Sequence, residues 1–189
     1  MLYTRKGDGG TTKLFDCPQG KRVDKNALVF EVLGTVDEVN SLIGLIKVHA
    51  HERGEILKHQ TGDCSFSAIL EKIQNLLFSI QAELGGSPEM IKEEHVTYLE
   101  EVIAKVEDGI PPITTFIVYG GTLVSAHLDV ARAVTRRCER LVVGVQKEGE
   151  RKVNPNSLQF LNRLSSVLYA LARYSNHIHN CSEMPPQYG

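Results

Sequence analysis

Apolar residues recur at helical spacing in five separate stretches of this 189-residue chain. Val39, Leu42, Ile43 and Ile46 mark the first. It is opened by Thr35-Val36-Asp37-Glu38, whose Thr-x-x-Glu spacing predicts a capping box that satisfies free backbone N–H groups. Gly44 inside that helix costs about 1 kcal/mol relative to Ala, which points to close helix packing there. A polar stretch, His51 to Asp63, leads to a second helix with Ile69, Ile73, Leu76, Leu77 and Ile80, closed by Gly85-Gly86-Ser87-Pro88. Val96, Leu99, Ile103 and Val106 share a face of the third, which stops at Gly109-Ile110-Pro111-Pro112. After a short apolar segment, Thr114 to Tyr119, Gly120-Gly121-Thr122 opens the longest helix. It closes near Gly149 and spans roughly 39 Å at 1.5 Å per residue. Asn154-Pro155 reads as an N-cap followed by proline at the first helical position, starting the last helix. Residues 1–26, rich in Gly, Thr, Lys and Asp, show no helical period, and no stretch reads as a convincing strand. The expectation is an all-α fold: one domain over residues 1–189, with an irregular N-terminal loop at 1–26. A five-helix antiparallel bundle of the ferritin-like, up-down type follows over 35–180.

Composition narrows the partners. Twenty-one Lys and Arg stand against 23 Asp and Glu, a net charge of −2, whereas a duplex-binding domain is usually strongly basic. Nucleic acid is therefore not an expected partner. No apolar run approaches the roughly 20 residues that span a bilayer, and the N-terminus is polar by residue 4, so no membrane is expected and a cytoplasmic location is. Cys17, Cys64, Cys138 and Cys181 are far apart and form no C-x-x-C pair, which reads as reduced thiols.

Positive charge is concentrated locally. Ala131-Arg132-Ala133-Val134-Thr135-Arg136-Arg137-Cys138-Glu139-Arg140 puts four arginines into the interior of the longest helix. Arg132 and Arg136, four apart, share a face on which their guanidinium groups can converge on one anion. The apolar line Val134, Cys138, Leu141 and Val145 is expected to face the core. A solvated charged face and a phosphate or carboxylate site both fit these residues. The N-terminal run Tyr3-Thr4-Arg5-Lys6-Gly7-Asp8-Gly9-Gly10-Thr11-Thr12-Lys13 offers glycines, hydroxyls and cationic heads suited to phosphate, though it is neither a P-loop nor a dinucleotide fingerprint. A flexible tail would look the same. Asp37 and Glu38 fit ordinary N-terminal helix acids. Asn162, in Leu161-Asn162-Arg163-Leu164-Ser165-Ser166, points off an apolar face. No Glu-x-x-His or H-E-x-x-H is present, so no protein metal site is expected. No serine or cysteine sits in a nucleophile motif, so any nucleophile must come from a substrate or cofactor.

Four of these segments occur together in the order of one known family. Tyr3–Thr12, Gly34–Ser41, Ala131–Arg140 and Leu161–Ser165 resemble the ATP:cob(I)alamin adenosyltransferases of the propanediol-utilisation type. The resemblance covers essentially the whole chain. It implies a five-helix bundle that assembles as a homotrimer, with ATP held between the N-terminal loop of one subunit and the arginine helix of the next. The activity implied is transfer of the 5′-deoxyadenosyl group of ATP to the cobalt of cob(I)alamin, with release of triphosphate and with Mg²⁺ on the phosphates. A reductase supplying Co(I) is a further partner. Carried over by position, Thr4, Arg5, Lys6, Gly7, Thr12, Lys13 and Lys25 hold the nucleotide. Arg136, Arg137, Glu139 and Arg140 complete the site, and Asn162 contacts the nucleoside. Asp37 pairs across the interface with Arg132. Phe116 displaces the lower base of cobalamin, although as a residue of an apolar segment it also reads as a core phenylalanine. Ser166 stands where the family often has Asp, and Tyr119 where a proline is common. Asp16 to Gly20 reads as a small insertion, and residues 51–64 as a longer loop. A non-catalytic carrier or sensor that binds ATP or a corrinoid is the alternative.

Overall fold

The computed structural model describes residues 3–188 and contains, among them, five α-helices and four two-residue strands. Leu28–Glu52 forms α1, Phe66–Leu84 α2, Glu93–Gly109 α3, Leu123–Lys147 α4 and Pro155–Ile178 α5. Thr11–Thr12 (β1) pairs antiparallel with Val23–Asp24 (β2), and Ile56–Leu57 (β3) with Cys64–Ser65 (β4). The all-α expectation holds, with two miniature hairpins that the sequence did not show, because two residues are too few for an alternating pattern. α1 packs between α2 and α4, α4 between α1 and α5, and α3 docks on α5.

The first helix begins seven residues earlier than Thr35. Val29, Val32 and Val36 carry the apolar stripe upstream of Val39, Ile43 and Ile46, and all are buried. Thr35 is therefore no cap. It lies inside the helix, 4% exposed, and its hydroxyl donates to the Glu31 carbonyl at 2.8 Å. The true N-cap, Ala27, has no side-chain acceptor, and the Val29 N–H donates instead to the Glu150 carboxylate at 3.2 Å.

Three other helices are capped by side chains, that of α5 as the sequence predicts. Ser65 caps α2, Thr122 caps α4 and Asn154 caps α5 with Pro155 in the first turn. Gly149, at φ +75°, closes the α4 end. Gly44 clears room for Gln74: a Cβ there would lie 3.1 Å from the Gln74 amide nitrogen. Gln74 in turn donates to the Asn40 carbonyl at 3.1 Å, joining α1 to α2 with a polar bridge inside the core. On α4 the buried line is Leu128, Ala131, Thr135, Cys138, Val142 and Val145. Val134 and Leu141 sit at its margin, half-buried, so the core face is rotated slightly from the expected one.

One polar network crosses the core at the end where α4 begins. Glu55, 2% exposed, accepts from the Ser175 hydroxyl at 2.9 Å, and Ser175 shares a hydrogen bond with Thr122 at 2.7 Å. His179 approaches the same carboxylate oxygen at 3.4 Å, while Glu55 Oε2 has no hydrogen-bond partner among the described residues. Burial raises the Glu55 carboxyl above its ordinary range, opposed by Ser175 and His179. No helix among the described residues is long and apolar enough to cross a membrane, and all four cysteines are free thiols.

A carboxyl whose pKa is raised on folding supports the fold while protonated, below its unfolded value, and loses that support as pH rises through the raised value. Glu55→Gln removes the titrating group. The variant should therefore melt about 2–4 °C above the parent at pH 8, equivalent to roughly 1 kcal/mol, and the gap should close towards pH 4. Thermal unfolding followed by circular dichroism at both pH values checks this, and a gap that widens on acidification would contradict it.

Candidate functional site

Gly120 and Gly121 adopt φ of +116° and +113°, turning the chain from the exposed segment before them into α4. Asn176 of α5 holds this turn from below. Its Oδ1 accepts from the Thr122 N–H at 3.0 Å, and its Nδ2 donates to the Gly120 carbonyl at 2.8 Å. Asp129, 8% exposed, accepts from the Gly120 N–H at 3.3 Å, and the Ser125 hydroxyl donates to the Gly120 carbonyl. Burial raises the Asp129 carboxyl, opposed by the Gly120 N–H and by Arg132.

The segment so anchored stands off the core. Phe116 is 80% exposed, which overturns its reading as a core phenylalanine. Ile113, Val118 and Tyr119 are exposed too. A second strap holds the segment from the far side: Arg173 donates to the Pro111 carbonyl and pairs with Glu183, and the Val118 N–H donates to the Met184 carbonyl.

Phe116 and Tyr119 look into an open pocket of about 260 Å³ whose other walls are Arg132 and Arg136 of α4 and Ser165, Ser166 and Tyr169 of α5. Arg132 and Arg136 thus do share a face, and that face is a pocket wall. Arg136 and Arg140 make no hydrogen bond or ion pair among the described residues, leaving their donors free for an anion. One turn along, Asn162 is partly buried and not a solvated side chain. Its amide donates to Glu139 at 2.9 Å and accepts from Arg163 at 2.8 Å, and Arg163 reaches Glu100 of α3 at 2.8 Å. Arg137 turns away and pairs with Glu38 of α1, both half-exposed.

The N-terminal loop is a separate assembly. Lys25 donates to the Gly7 carbonyl at 2.9 Å, and Arg5 takes φ +59° beside Tyr3. Arg22, a residue the sequence did not single out, reaches the Thr11 hydroxyl at 2.7 Å and the Lys6 carbonyl at 2.7 Å, locking the loop onto its hairpin. Thr12 lies in β1, half-buried, while Thr4, Lys6 and Lys13 are exposed. Asp16 pairs with Arg151 at the α4–α5 turn, so the expected insertion is tied down. No hydrogen bond or ion pair among the described residues joins Thr4–Lys13 to Arg132–Arg140, and Asp37 is exposed and does not touch Arg132. Within one chain the two halves of the expected site stay apart. A larger cleft of about 580 Å³ between the end of α2 and the α4–α5 turn contains none of the expected site residues, though Asp16 of the insertion lines it. Glu83 within it is satisfied by Asn154 and Ser157.

Tyr169, Asp129 and Asn176 also escaped the sequence reading. Asp129 lies three residues before Arg132 and Tyr169 four after Ser165, spacings that place them on the site face only once the site is known. Asn176 carried a signal, an amide near the end of a largely apolar helix.

The sequence model of the family described as cobalamin adenosyltransferase matches residues 2–175. The chain is 36% identical to the human corrinoid adenosyltransferase MMAB, over 92% of this chain and 68% of that protein. It is 37% identical to the corrinoid adenosyltransferase of Bacillus subtilis, over 93% of this chain and 86% of that one. Among solved structures, a variant PduO-type ATP:corrinoid adenosyltransferase from Lactobacillus reuteri, complexed with cobalamin and ATP, superposes with a TM-score of 0.85 at 31% identity. That match covers 99% of this chain and 97% of the other.

The turn before α4 is the most constrained point of the site. A Cβ on Gly121 would lie 2.3 Å from Asn176 Oδ1, whereas a Cβ on Gly120 meets nothing within 4 Å. Both positions carry a positive φ that alanine adopts only under strain. Gly121→Ala is expected to lose about 2–4 kcal/mol of unfolding free energy, and Gly120→Ala about 1–3 kcal/mol. Denaturant melts of the two variants check the order.

Proposed function

The chain belongs to the cobalamin adenosyltransferase family, and from that premise we propose how its own residues carry the family's reaction. The enzyme transfers the 5′-deoxyadenosyl group of ATP to the cobalt of cob(I)alamin, giving adenosylcobalamin and triphosphate. Co(I) attacks C5′, a Co–C bond forms, the C5′–O bond breaks, and the electron pair leaves on the triphosphate. The substrate is itself the nucleophile, and the protein fits that division of labour. Burial pushes the Cys138 thiol up to about 12, so it stays protonated at neutral pH. What remains for the protein is positioning and stabilisation of charge on the leaving group.

The observation that carries this reading is Phe116, four-fifths exposed above a pocket walled by Arg132 and Arg136. An apolar ring beside free guanidinium donors suits a ligand with an apolar macrocycle on one side and phosphates on the other. In the proposed assignment Phe116 displaces the lower base of cobalamin, and Arg136, Arg137, Glu139, Arg140 and Asn162 complete the nucleotide site. Thr4, Arg5, Lys6, Gly7, Thr12, Lys13 and Lys25 bring the phosphate-binding loop from a neighbouring subunit, and Asp37 meets the neighbour's Arg132. Residues 1–189 then act as one adenosyltransferase domain within a homotrimer.

Two features support assembly. Among the described residues no hydrogen bond or ion pair joins the loop to the arginine helix, and the 260 Å³ pocket is smaller than the roughly 300–1,000 Å³ of sites that enclose a drug-sized ligand. Among the described residues no three His, Cys, Asp or Glu side chains gather to hold a metal. Mg²⁺ is assigned as a companion of the ATP phosphates, its usual mode. The four free thiols suit the reducing cytoplasm, where a reductase would supply the electron that makes Co(I).

The test is anaerobic spectrophotometry with chemically reduced cob(I)alamin, ATP and Mg²⁺. Decay of the Co(I) band into a photolabile alkylcobalamin is expected. ATP binding without turnover would favour the carrier or sensor instead. Phe116→Ala should lose at least tenfold more activity when Co(II) is supplied with a reductant than on preformed Co(I), and equal losses would remove its assigned role. Asp37→Asn breaks the proposed intersubunit pair. One partner of a largely buried pair is worth about 3–5 kcal/mol, so the trimer should dissociate at lower dilution or activity fall a hundredfold or more. Light scattering and kinetics on the same samples decide this.

A further inference from the structure

Arg132 differs from its neighbours on α4. Arg136, Arg137 and Arg140 are exposed, whereas the Arg132 side chain keeps 17% of its surface. Its guanidinium carbon lies 4.5 Å from the centre of the Tyr119 ring and 5.7 Å from the centre of the Tyr169 ring. Asp129 Oδ1 stands 3.6 Å from Arg132 Nε, too far for a hydrogen bond, and both atoms are buried and without hydrogen-bond partners among the described residues. The head group is therefore held by two aromatic faces and a nearby charge, and not by a carboxylate fork.

These contacts close a circuit. Asp129 accepts from the Gly120 N–H, Arg132 lies beside Asp129, and Tyr119, the residue before Gly120, lies against Arg132. Phe116 is three residues upstream on the same segment and shares the same pocket. Because Tyr119 is 60% exposed, little of its surface is committed to the core, and the arginine supplies a specific contact for its ring. A planar guanidinium stacks on an aromatic face in a way that neither an aliphatic side chain opposite it nor an ammonium in its place reproduces.

We propose that Tyr119, assisted by Tyr169, is a positioning residue: by clasping Arg132 it sets where the Phe116 segment stands over the pocket, and so governs affinity for the corrinoid and not for ATP. The inference rests on the adenosyltransferase reading of this pocket. Tyr169 secures the arginine from the α5 side, so that one cation sets the spacing between the segment and the helix behind it.

The test compares Tyr119→Leu, which keeps apolar bulk and loses the ring, with Tyr119→Phe, which keeps the ring. The full-length protein is used, with cob(II)alamin binding in the presence of ATP read from the visible spectrum and steady-state kinetics on cob(I)alamin. Tyr119→Leu should weaken cob(II)alamin binding and raise KM for cob(I)alamin on the order of tenfold, leaving KM for ATP within twofold. Tyr119→Phe should stay within twofold of the parent throughout. In an Arg132→Lys background the Tyr119→Leu effect on cob(II)alamin affinity should shrink below threefold, since the stacked plane is already gone. Equal behaviour of the Leu and Phe variants, an equal rise in KM for ATP, or an undiminished Leu effect beside Lys would each overturn the proposal. A parent protein that neither binds cob(II)alamin nor turns over would overturn the reading beneath it. A normal parent with an unaffected Leu variant would overturn the clasp alone.

Discussion

The amide of Asn176 is the constraint on which the site geometry depends. It is 6% exposed, and it grips the backbone on both sides of Gly121, accepting from Thr122 and donating to the Gly120 carbonyl. That grip fixes the residue at which α4 starts. A helix whose start is fixed has its azimuth fixed as well, so the faces of Arg132 and Arg136 follow from a contact about three to four turns away. The same grip fixes where the exposed segment with Phe116 and Tyr119 leaves the bundle. Buried polar groups in an apolar core impose a unique arrangement because any other leaves them unpaired at a cost of about 1–3 kcal/mol each. The Glu55–Ser175–Thr122 network extends that demand to the end of α1 and to the cap of α4.

Local chemistry made much of this architecture legible. The asparagine and proline that open α5, the glycines after α2 and α4, and the helical stripes each act within a turn of their own position. Thr35 shows where local chemistry misleads: a Thr three residues before a Glu looks the same whether it caps a helix or back-bonds within one. Only the upstream valines, buried by tertiary packing, separate the two cases. Phe116 misled for another reason. Burial of apolar residues is a tendency that binding surfaces violate, so an apolar segment between two turns reads as core until its exposure is seen. Asn176, Asp129 and Arg22 act on chain segments 9 to 56 residues away, and such pairings have no signature in a single sequence. The motifs of the loop and the arginine helix were legible as residues. That one chain keeps them apart was not.

That separation is the more informative result. The loop closes on itself through Lys25 and Arg22, satisfying its own carbonyls while leaving the heads of Arg5, Lys6 and Lys13 in solvent. The arginine face likewise closes around Arg132 while leaving Arg136 and Arg140 unpaired among the described residues. Each half is preorganised, and each exposes the groups that the other lacks. In a head-to-tail ring the same two unlike surfaces meet at every interface, which is the geometry that closed cyclic assemblies with heterologous contacts use.

Arg137 and Arg132 then have different roles. Arg137 and Glu38 are half-exposed, and such pairs contribute about 0–1 kcal/mol because water competes for both partners. Either can exchange for a ligand or a neighbouring subunit at little cost. Arg132 is already stripped of most of its water by Tyr119, Tyr169 and Asp129, so much of the desolvation penalty for a carboxylate approaching it has been met on folding. In the proposed trimer a neighbour's Asp37 therefore meets a cation that is ready to be paired, and the gain falls on assembly. The aromatic clasp and the intersubunit pair compete for one guanidinium only if they need the same face. A ring takes the flat side and a carboxylate the edge, so Arg132 can serve both and transmit assembly to the segment that carries Phe116.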